Sequence, residues 1–389
     1  MKNRVCVICV CYDRPLSMKR LLKSLDDADY CGDSVDLIIS VDKGPKQDEI
    51  VSIGDAFSWD HGDKIVRAFD KQLGLKNHIL KCGDVSSDYN AVIVLEDDLT
   101  VSNNFYHYVK CCLDRYADDD NIAGISLYKH CFNIDANAFF EPAYNGADVF
   151  LMQYAQSWGQ CWNSRMWNGF RTWYSKHLEI FDGDTDELQR FPENITKWGN
   201  KSWLKYYIAY VIDENLYYVY PYVSLTTNHS EAGVHNQISN SDYQVDIAEG
   251  VFDYRLRDFS KLIKYDAFFE RIGLQIPEFE NKRVVIDLYG KKRKFSGADI
   301  LISTVPRPYK IIKSWKLKMR PQEENLLHPE NGTGIFIYDM HTPDSQNQNM
   351  EQEYIRTRFD VRAIDGSKLF KLGNSILLNR FKHRIFHNR

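Results

Sequence analysis

Three consecutive carboxylates, Glu96, Asp97 and Asp98, are the residues of this chain best suited to chemistry. The apolar run before them, residues 91–95, is too short to span a membrane and has the length and β-branched content of a strand buried on both faces. The acids then stand at the carboxyl end of that strand, where α/β sheets bind ligands. Adjacent carboxylates repel one another unless a cation or hydrogen-bond donors lie among them. Such oxygen ligands suit Mg²⁺ or Mn²⁺, which usually share coordination with phosphates. The alternative is an acidic turn that caps the next helix.

Two further polar segments follow predicted strands. Residues 5–12 form the first predicted strand, followed by Asp13 and Arg14, and the second, residues 35–42, ends in Asp42. Together with the three acids, these side chains could make a nucleotide-diphosphate site. In it an acid hydrogen-bonds the base, an arginine faces phosphate, another acid takes the ribose, and Asp98 holds the metal ion. The chain lacks the Gly-rich fingerprint of dinucleotide folds and a phosphate-loop Gly-Lys-Ser/Thr, which argues against NAD and against ATP hydrolysis.

Helices alternate with these strands. Pro15 opens a helix through residue 25, since proline suits a first helical turn. Further helices are predicted around residues 65–73 and from residue 105, and the remaining predicted strands are residues 122–127, 283–288, 300–303 and 334–338. This alternation predicts a doubly wound α/β sheet.

Composition bounds the class of protein. The chain has 389 residues, 44% hydrophobic and 26% charged, which is an ordinary globular composition with room for two domains. We predict a nucleotide-binding domain over residues 1–250, a small extension over 251–345 and a basic amphipathic tail over 346–389. The whole chain has a net charge of −5, and the body outside the basic tail is more acidic still; with no recognition motif, this argues against nucleic acid as a partner. Cysteines inside the first strand indicate buried, reduced thiols in a cytosolic protein.

The tail differs in charge from the rest. Residues 366–389 hold six Lys or Arg and no acid, interleaved with Leu, Ile and Phe. A basic segment of this kind suits an anionic membrane surface, so we expect a cytoplasmic protein that is peripheral at the inner face of the cell membrane. The alternative is a terminal helix docked on the body with its cations solvated.

Aromatic residues are frequent after residue 148. Most of those in residues 167–174 have helical spacing and indicate core. Trp158 and Trp162, beside the flexible Gly159, are better candidates for the surface, since sugar pockets place flat aromatic faces against sugar rings.

In order and spacing, segments within residues 4–240 resemble inverting GT-A glycosyltransferases, most closely the N-acetylglucosaminyltransferase I-like branch, and also bacterial surface-polysaccharide glycosyltransferases. The segments that carry the resemblance are residues 7–14, 38–44, 73–78, 92–99, 157–159, 220–225 and 233–235. The resemblance implies a GT-A (Rossmann-like), mostly parallel sheet flanked by helices, with a smaller C-terminal extension.

The resemblance also implies roles for individual residues. Asp42 would read the base, which indicates uracil, and Glu96 with Asp97 would position the ribose and the water shell of the metal ion held by Asp98. The other expected donor contacts are Tyr12, Asp13, Arg14, Lys76, Trp158, Gly159 and His235. For His235 and His229, simple loop hydrogen bonding is the alternative.

One departure concerns the general base. The family has an Asp directly before a Trp, and the corresponding residue here is Ser202, which cannot act as that base at neutral pH without help. Either Glu231 or Glu193 supplies the base, or the register differs, or the mechanism does.

The expected function is therefore a metal-dependent, inverting glycosyltransferase with Mn²⁺ or Mg²⁺. It would transfer sugar from a nucleotide sugar, expected to be a UDP-sugar, to a glycan or lipid-linked acceptor in bacterial surface polysaccharide synthesis. Two alternatives stay open. A sugar nucleotidyltransferase should have a Gly-rich, Arg-containing loop after the first strand, which residues 12–15 are not. A non-catalytic nucleotide-sugar-binding scaffold of an envelope assembly complex would explain the missing base.

Overall fold

The computed structural model describes residues 2–183, 185–231, 241–250, 252–345, 350–361 and 365–386. The chain forms two compact units. The first runs to residue 275 and includes residues 291–296, and the second comprises residues 276–290 and the chain from residue 297. The predicted functional boundaries at residues 250 and 345 stay predictions.

The first unit alternates strands and helices. Its strands are β1 (Lys2–Cys11), β2 (Val35–Val41), β3 (Lys64–Ala68), β4 (Tyr89–Glu96), β5 (Leu99–Val101), β6 (Ile122–Ser126), β7 (Phe132–Asn133), β8 (Ala138–Phe139), β9 (Val149–Met152), β10 (Gln160–Trp162), β11 (Tyr217–Pro221), β12 (Thr226–Asn228), β13 (Lys264–Tyr265) and β14 (Arg271–Ile272). Its helices are α1 (Pro15–Asp26), α2 (Gln47–Ala56), α3 (Gly74–Asp84), α4 (Phe105–Tyr116), α5 (Ser164–Lys176), α6 (Thr185–Leu188), α7 (Glu193–Lys197) and α8 (Leu204–Asp213).

Ten of these strands form one mixed sheet, in the order β14-β13-β9-β11-β6-β10-β4-β1-β2-β3. The α/β prediction is confirmed, and the strands that end at the predicted site, β4, β1 and β2, are parallel, as is β3 at the edge. The other half is mixed: β10 runs antiparallel to both of its neighbours and β9 antiparallel to β11, whereas β11 is parallel to β6 and β13 to β9. Parallel neighbours need a long crossover, usually helical, and residues 127–159, all of them described, contain no helix.

The centre of the sheet is the core of this unit. Residues 91–95 of β4 are at most 1% exposed, as predicted for a strand covered on both faces. Helix α1 begins at Pro15, as predicted, and buries Leu21, Leu22 and Leu25.

The helix predicted around residues 65–73 is wrong. Residues 64–68 form β3, parallel to β2, and the helix begins at Gly74. As an edge strand β3 is only partly buried, so Lys and Arg interrupt its Ile and Val, and the pattern resembles an amphipathic helix.

The second unit has its own four-stranded sheet, in the order β15-β16-β18-β17. Its elements are β15 (Val284–Asp287), β16 (Ile300–Ser303), β17 (Tyr309–Lys316), β18 (Gly334–Pro343), α9 (Glu324–Leu327), α10 (Met350–Asp360) and α11 (Gly366–Phe386). Strands β15, β16 and β18 were predicted, and β17 was missed. Within the described ranges, no helix is long and apolar enough to cross a membrane. All nine cysteines are free.

Candidate active site

A cavity of about 740 Å³ opens at the carboxyl ends of β1, β2 and β4. It brings together ten of the predicted residues from segments far apart in the chain. They are Tyr12, Asp13, Arg14, Asp42, Lys76, Glu96, Asp97, Asp98, Trp158 and Glu231. The convergence follows from the parallel strands, whose carboxyl ends meet at one edge of the sheet.

The three acids Glu96, Asp97 and Asp98, here called the acidic cluster, are held in place by backbone hydrogen bonds. Strand β4 ends at Glu96, and Asp97 and Asp98 form the tight turn into β5. The Asp97 amide donates to the Val10 carbonyl (3.2 Å), and the His229 amide donates to the Asp98 carbonyl (3.0 Å). The Asp97 side chain is 2% exposed and that of Asp98 10%. The turn therefore fixes where both carboxylates lie.

One cation is already inside this cluster. The Arg14 guanidinium places Nη2 2.5 Å from Asp97 Oδ1 and Nη1 2.8 Å from Asp98 Oδ2. Asp98 Oδ1 is buried and accepts no hydrogen bond.

The cluster remains short of positive charge despite Arg14. Burial, together with the neighbouring Asp98, raises the pKa of Glu96 to about 8. Burial also raises the pKa of Asp97 to about 7, although Arg14 opposes the rise. A shift of this direction is typical of carboxylates crowded together away from water.

The carboxylate oxygens of the site fit a divalent cation in one respect. Among the described residues, no three His, Cys, Asp or Glu side chains converge as a ready metal centre. Mg²⁺-like ions, however, usually take one or two protein carboxylates and complete their shell with substrate phosphates and water. Asp98, which lines the cavity and has an unpartnered, buried Oδ1, meets that smaller requirement.

Asp42 does structural work as well as lining the cavity. Its Oδ1 accepts hydrogen bonds from the Lys43 and Leu73 amides (both 2.8 Å), and its Oδ2 accepts one from the Gly74 amide (2.9 Å). It therefore ties the end of β2 to the start of α3. Gly74 adopts a left-handed φ of +72° there, which a side chain would strain.

Trp158 forms an aromatic wall of the cavity. Its ring centroid lies 4.5 Å from that of Tyr243 and 4.7 Å from that of Tyr128. Its carbonyl accepts a hydrogen bond from Thr226 Oγ1 (2.6 Å). Gly159 does not line the cavity. The position nevertheless requires a glycine, because its φ is +94° and a Cβ would lie 2.8 Å from the Thr226 methyl group. The segment that was predicted to contact the donor is thus rigidly placed. The prediction that Trp162 lies at the surface is wrong, because Trp162 is fully buried in β10, the strand between β4 and β6.

The two candidate bases differ in position, and neither is poised to take a proton. Glu231 lines the cavity but accepts from both Nη atoms of Arg20 (2.8 and 3.0 Å) and from Ser17 Oγ. Arg20 lowers its pKa to about 2, against the opposing effect of burial. Glu193 is not among the lining residues and lies at the start of α7, 2.6 Å from Lys197, which lowers its pKa.

The remaining residues weighed for the site are Ser202, His229 and His235. Ser202 Oγ accepts from the Lys205 amide (3.4 Å) just before α8. His229 Nε2 lies 2.8 Å from Thr100 Oγ1, so this histidine makes the loop hydrogen bond weighed for it. His235 lies outside the described residues.

Sequence reasoning missed several polar lining residues. They are Gln72, Asn200, Lys201, Asn228, Ser230 and Tyr243. Asn228 and Ser230 come at the end of β12, which pairs with β5 directly after the acidic turn. The expectation that ligand-binding residues follow the ends of strands would have identified both residues if β12 had been predicted as a strand.

No family model and no curated protein matches the sequence. Among solved structures, the chain is similar to the mannosyltransferase PcManGT from Pyrobaculum calidifontis in complex with GDP-Man and Mn²⁺, with a TM-score of 0.34 and 12% identity over 57% of this chain and 58% of that one. It is also similar to S. aureus TarS 1-349 in complex with UDP-GlcNAc, with a TM-score of 0.33 and 11% identity over 65% and 60% of the two chains. A third structure is the glycosyltransferase GlyE of Streptococcus pneumoniae, with a TM-score of 0.32 and 15% identity over 56% and 44%. The chain thus spans 44% to 60% of the length of these three structures, and no residue role is transferred from them.

Proposed function

We propose that this protein is a metal-dependent glycosyltransferase that uses a nucleotide-sugar donor, expected to be a UDP-sugar. The observation that carries the proposal is the unpartnered, buried Oδ1 of Asp98 beside Glu96 and Asp97 at the edge of a ligand-sized cavity. A site of this kind has room and charge for a cation bridged to a diphosphate.

The lining of the cavity supports each part of the donor. Arg14, Lys76 and Lys201 are the cations available to phosphate, and Arg14 has the planar fork that suits bidentate contact. The amide side chains of Asn77, Asn200 and Asn228 offer donors and acceptors to base and ribose hydroxyls. The Trp158 and Tyr243 rings offer an apolar face to the sugar.

The proposed reaction follows from where charge develops. Cleavage of the bond between sugar and phosphate leaves negative charge on the diphosphate, and a divalent cation held by Asp98 would offset that charge as it forms. Arg14 and Lys201 would hold the departing phosphates, and Trp158 would fix the sugar so that an acceptor hydroxyl attacks the opposite face of the anomeric carbon. That geometry gives inversion. The bond between that carbon and the phosphate oxygen breaks, and the proton of the hydroxyl passes to solvent. The acceptor class proposed is a glycan or a lipid-linked glycan of bacterial surface polysaccharide.

A non-catalytic nucleotide-sugar-binding scaffold is the second candidate. Two observations favour it: Glu231 is held in an ion pair by Arg20, and Glu193 lies outside the cavity lining. Neither carboxylate is free to accept a proton from an acceptor hydroxyl.

Hydrolysis of donor separates the two candidates. We expect slow, Mn²⁺-dependent release of UDP from a panel of UDP-sugars, because water can replace the acceptor. Asp98→Asn should reduce the release at least about 100-fold, since a lost charge-stabilising contact costs about that much. Asp118→Asn removes an exposed carboxylate outside the cavity and is the matched control. Binding of UDP-sugar with Mn²⁺ but without turnover would favour the scaffold, and full activity of Asp98→Asn would refute the assignment of Asp98.

We further propose that α11 attaches the protein to an anionic membrane surface. Its apolar side chains Phe370, Leu372, Leu377 and Leu378 are 52% to 72% exposed, and Lys368 and Lys371 are exposed beside them. Exposed apolar and basic side chains on one helix are typical of segments that lie in the lipid interface. The cytoplasmic face of the membrane, with its anionic lipids, is the surface that this charge fits.

A further inference from the structure

Arg14 bridges two carboxylates of the acidic cluster at the edge of the cavity. Its two Nη atoms contact two different carboxylates, Asp97 Oδ1 at 2.5 Å and Asp98 Oδ2 at 2.8 Å. Its side chain is about one quarter exposed (24%), so the contact is made at the boundary between the protein interior and the cavity. The contact with Asp98 is a charge-assisted hydrogen bond, which is among the stronger kinds of contact in proteins.

A divalent cation and Arg14 compete for the same carboxylate. Asp98 Oδ1 is free, but its partner oxygen Oδ2 already accepts from Arg14. A cation on Oδ1 would lie within a few ångströms of the guanidinium, and like charges at that distance repel strongly in a partly buried site. Without the metal ion, Arg14 offsets the cost of burying Asp97 and Asp98 as anions.

We propose that Arg14 is the resident counter-cation of the acidic cluster: it leaves Asp98 when a divalent cation binds there and turns to the phosphates of the nucleotide. The inference rests on the proposed function, because it requires that a metal ion and a diphosphate share this cavity. Arg14 lines that cavity, so the movement that the inference requires is a rotation of its side chain toward the bound phosphates.

Cooperative binding follows from this arrangement. A diphosphate that draws Arg14 away from Asp98 raises the affinity of Asp98 for the cation. By linkage, the cation raises the affinity for the nucleotide by the same factor. Arg14 therefore sets how strongly the affinity for the metal ion depends on bound nucleotide.

Binding of Mn²⁺ to the full chain, followed by the electron paramagnetic resonance of free Mn²⁺, tests the inference without any measurement of activity. Arg14→Gln keeps a polar amide but removes the competing charge. We expect Mn²⁺ alone to bind Arg14→Gln about tenfold or more tightly than the wild type, and UDP to increase that affinity less than in the wild type. Lys19→Gln removes an exposed cation of α1 that does not line the cavity and is expected to leave Mn²⁺ affinity unchanged.

Thermal unfolding gives a second readout. Arg14→Gln should melt at a lower temperature than the wild type, because it leaves two buried carboxylates without their cation. Added Mn²⁺ should raise its melting temperature more than that of the wild type. If Arg14→Gln does not fold, Arg14→Lys makes the same comparison, because an ammonium group cannot bridge both carboxylates as the fork does.

The outcomes separate this inference from the proposed function. If Arg14→Gln binds Mn²⁺ no more tightly than the wild type, while Asp98→Asn abolishes binding, the inference about Arg14 is overturned and the proposed function stands. If neither the wild type nor Arg14→Gln binds Mn²⁺, with or without UDP, both are overturned.

Discussion

Asp42 uses both of its carboxylate oxygens on backbone amides. Three amides, of Lys43, Leu73 and Gly74, donate to it at 2.8 to 2.9 Å, and the residue is 3% exposed. The resemblance implies that Asp42 reads a base, and the cavity does contain it, but its first role is to hold α3 against the end of β2. Any contact with a base must use a remaining lone pair of an oxygen that is already bonded.

Asp42→Ala should therefore lower stability as well as nucleotide binding. Loss of these hydrogen bonds leaves buried amides without an acceptor, which costs about 1–3 kcal/mol. Chemical denaturation of the variant measures this loss against Asp60→Ala, which removes an exposed carboxylate. Wild-type stability with weakened UDP binding would mean that Asp42 serves the ligand alone.

At the scale of elements, how well a strand could be predicted depends on how it is buried. Both ends of β4 were predicted to within two residues, because both faces of the strand are covered and its apolar run is unbroken. Strand β3 was mistaken for a helix and β17 was missed, because both are edge strands in which basic residues interrupt the apolar ones without a regular period of two. The apolar pattern of a sequence reflects which side chains are buried, and those of an edge strand are only partly buried.

The start of β1 is tied to β2 by charge, which predicts a dependence of stability on acid. Asp36 on β2 accepts from Lys2 (2.6 Å), Arg4 (2.8 Å), the Asp63 amide (3.0 Å) and Tyr89 Oη (3.0 Å). Burial alone would raise the pKa of Asp36, but these donors, Lys2 foremost, lower it to about 2.

Since the folded pKa lies below the ordinary value of 3.8, the contribution of Asp36 is complete above about pH 4 and is lost as the pH falls toward 2. Denaturant unfolding between pH 2 and 5 should show a drop in the free energy of unfolding that is reduced in Asp36→Asn. The variant should also be less stable than the wild type at pH 7. Equal slopes in the two proteins would contradict the role given to Asp36.

At the scale of the whole molecule, the strand-end argument predicted which segments meet, but the pairings inside the site could not be predicted. Arg14 contacts Asp98 across 84 residues of chain, and Arg20 contacts Glu231 across 211. Such partners depend on where side chains project after folding, and no local pattern in the sequence encodes them. The competition at Asp98 and the weak basicity of Glu231 both follow from these pairings.

The exposed helix α11 predicts binding to anionic lipid. The wild type should sediment with vesicles that contain phosphatidylglycerol and not with phosphatidylcholine vesicles, and added salt should weaken the binding. The double change Lys368→Glu and Lys371→Glu should reduce binding markedly, because each basic residue near the surface contributes about 1 kcal/mol. Lys318→Glu with Lys310→Glu, outside α11, is the matched control for net charge. Equal binding by both double variants would show that α11 is not the attachment site.

A crystal structure with Mn²⁺ and UDP tests the central claim most directly. Anomalous scattering should place manganese at bonding distance, about 2.0–2.2 Å, from Asp98 Oδ1, with the UDP phosphates completing its coordination and Arg14 turned away from Asp98. Manganese and UDP bound elsewhere, with the contact between Arg14 and Asp98 intact, would contradict the account.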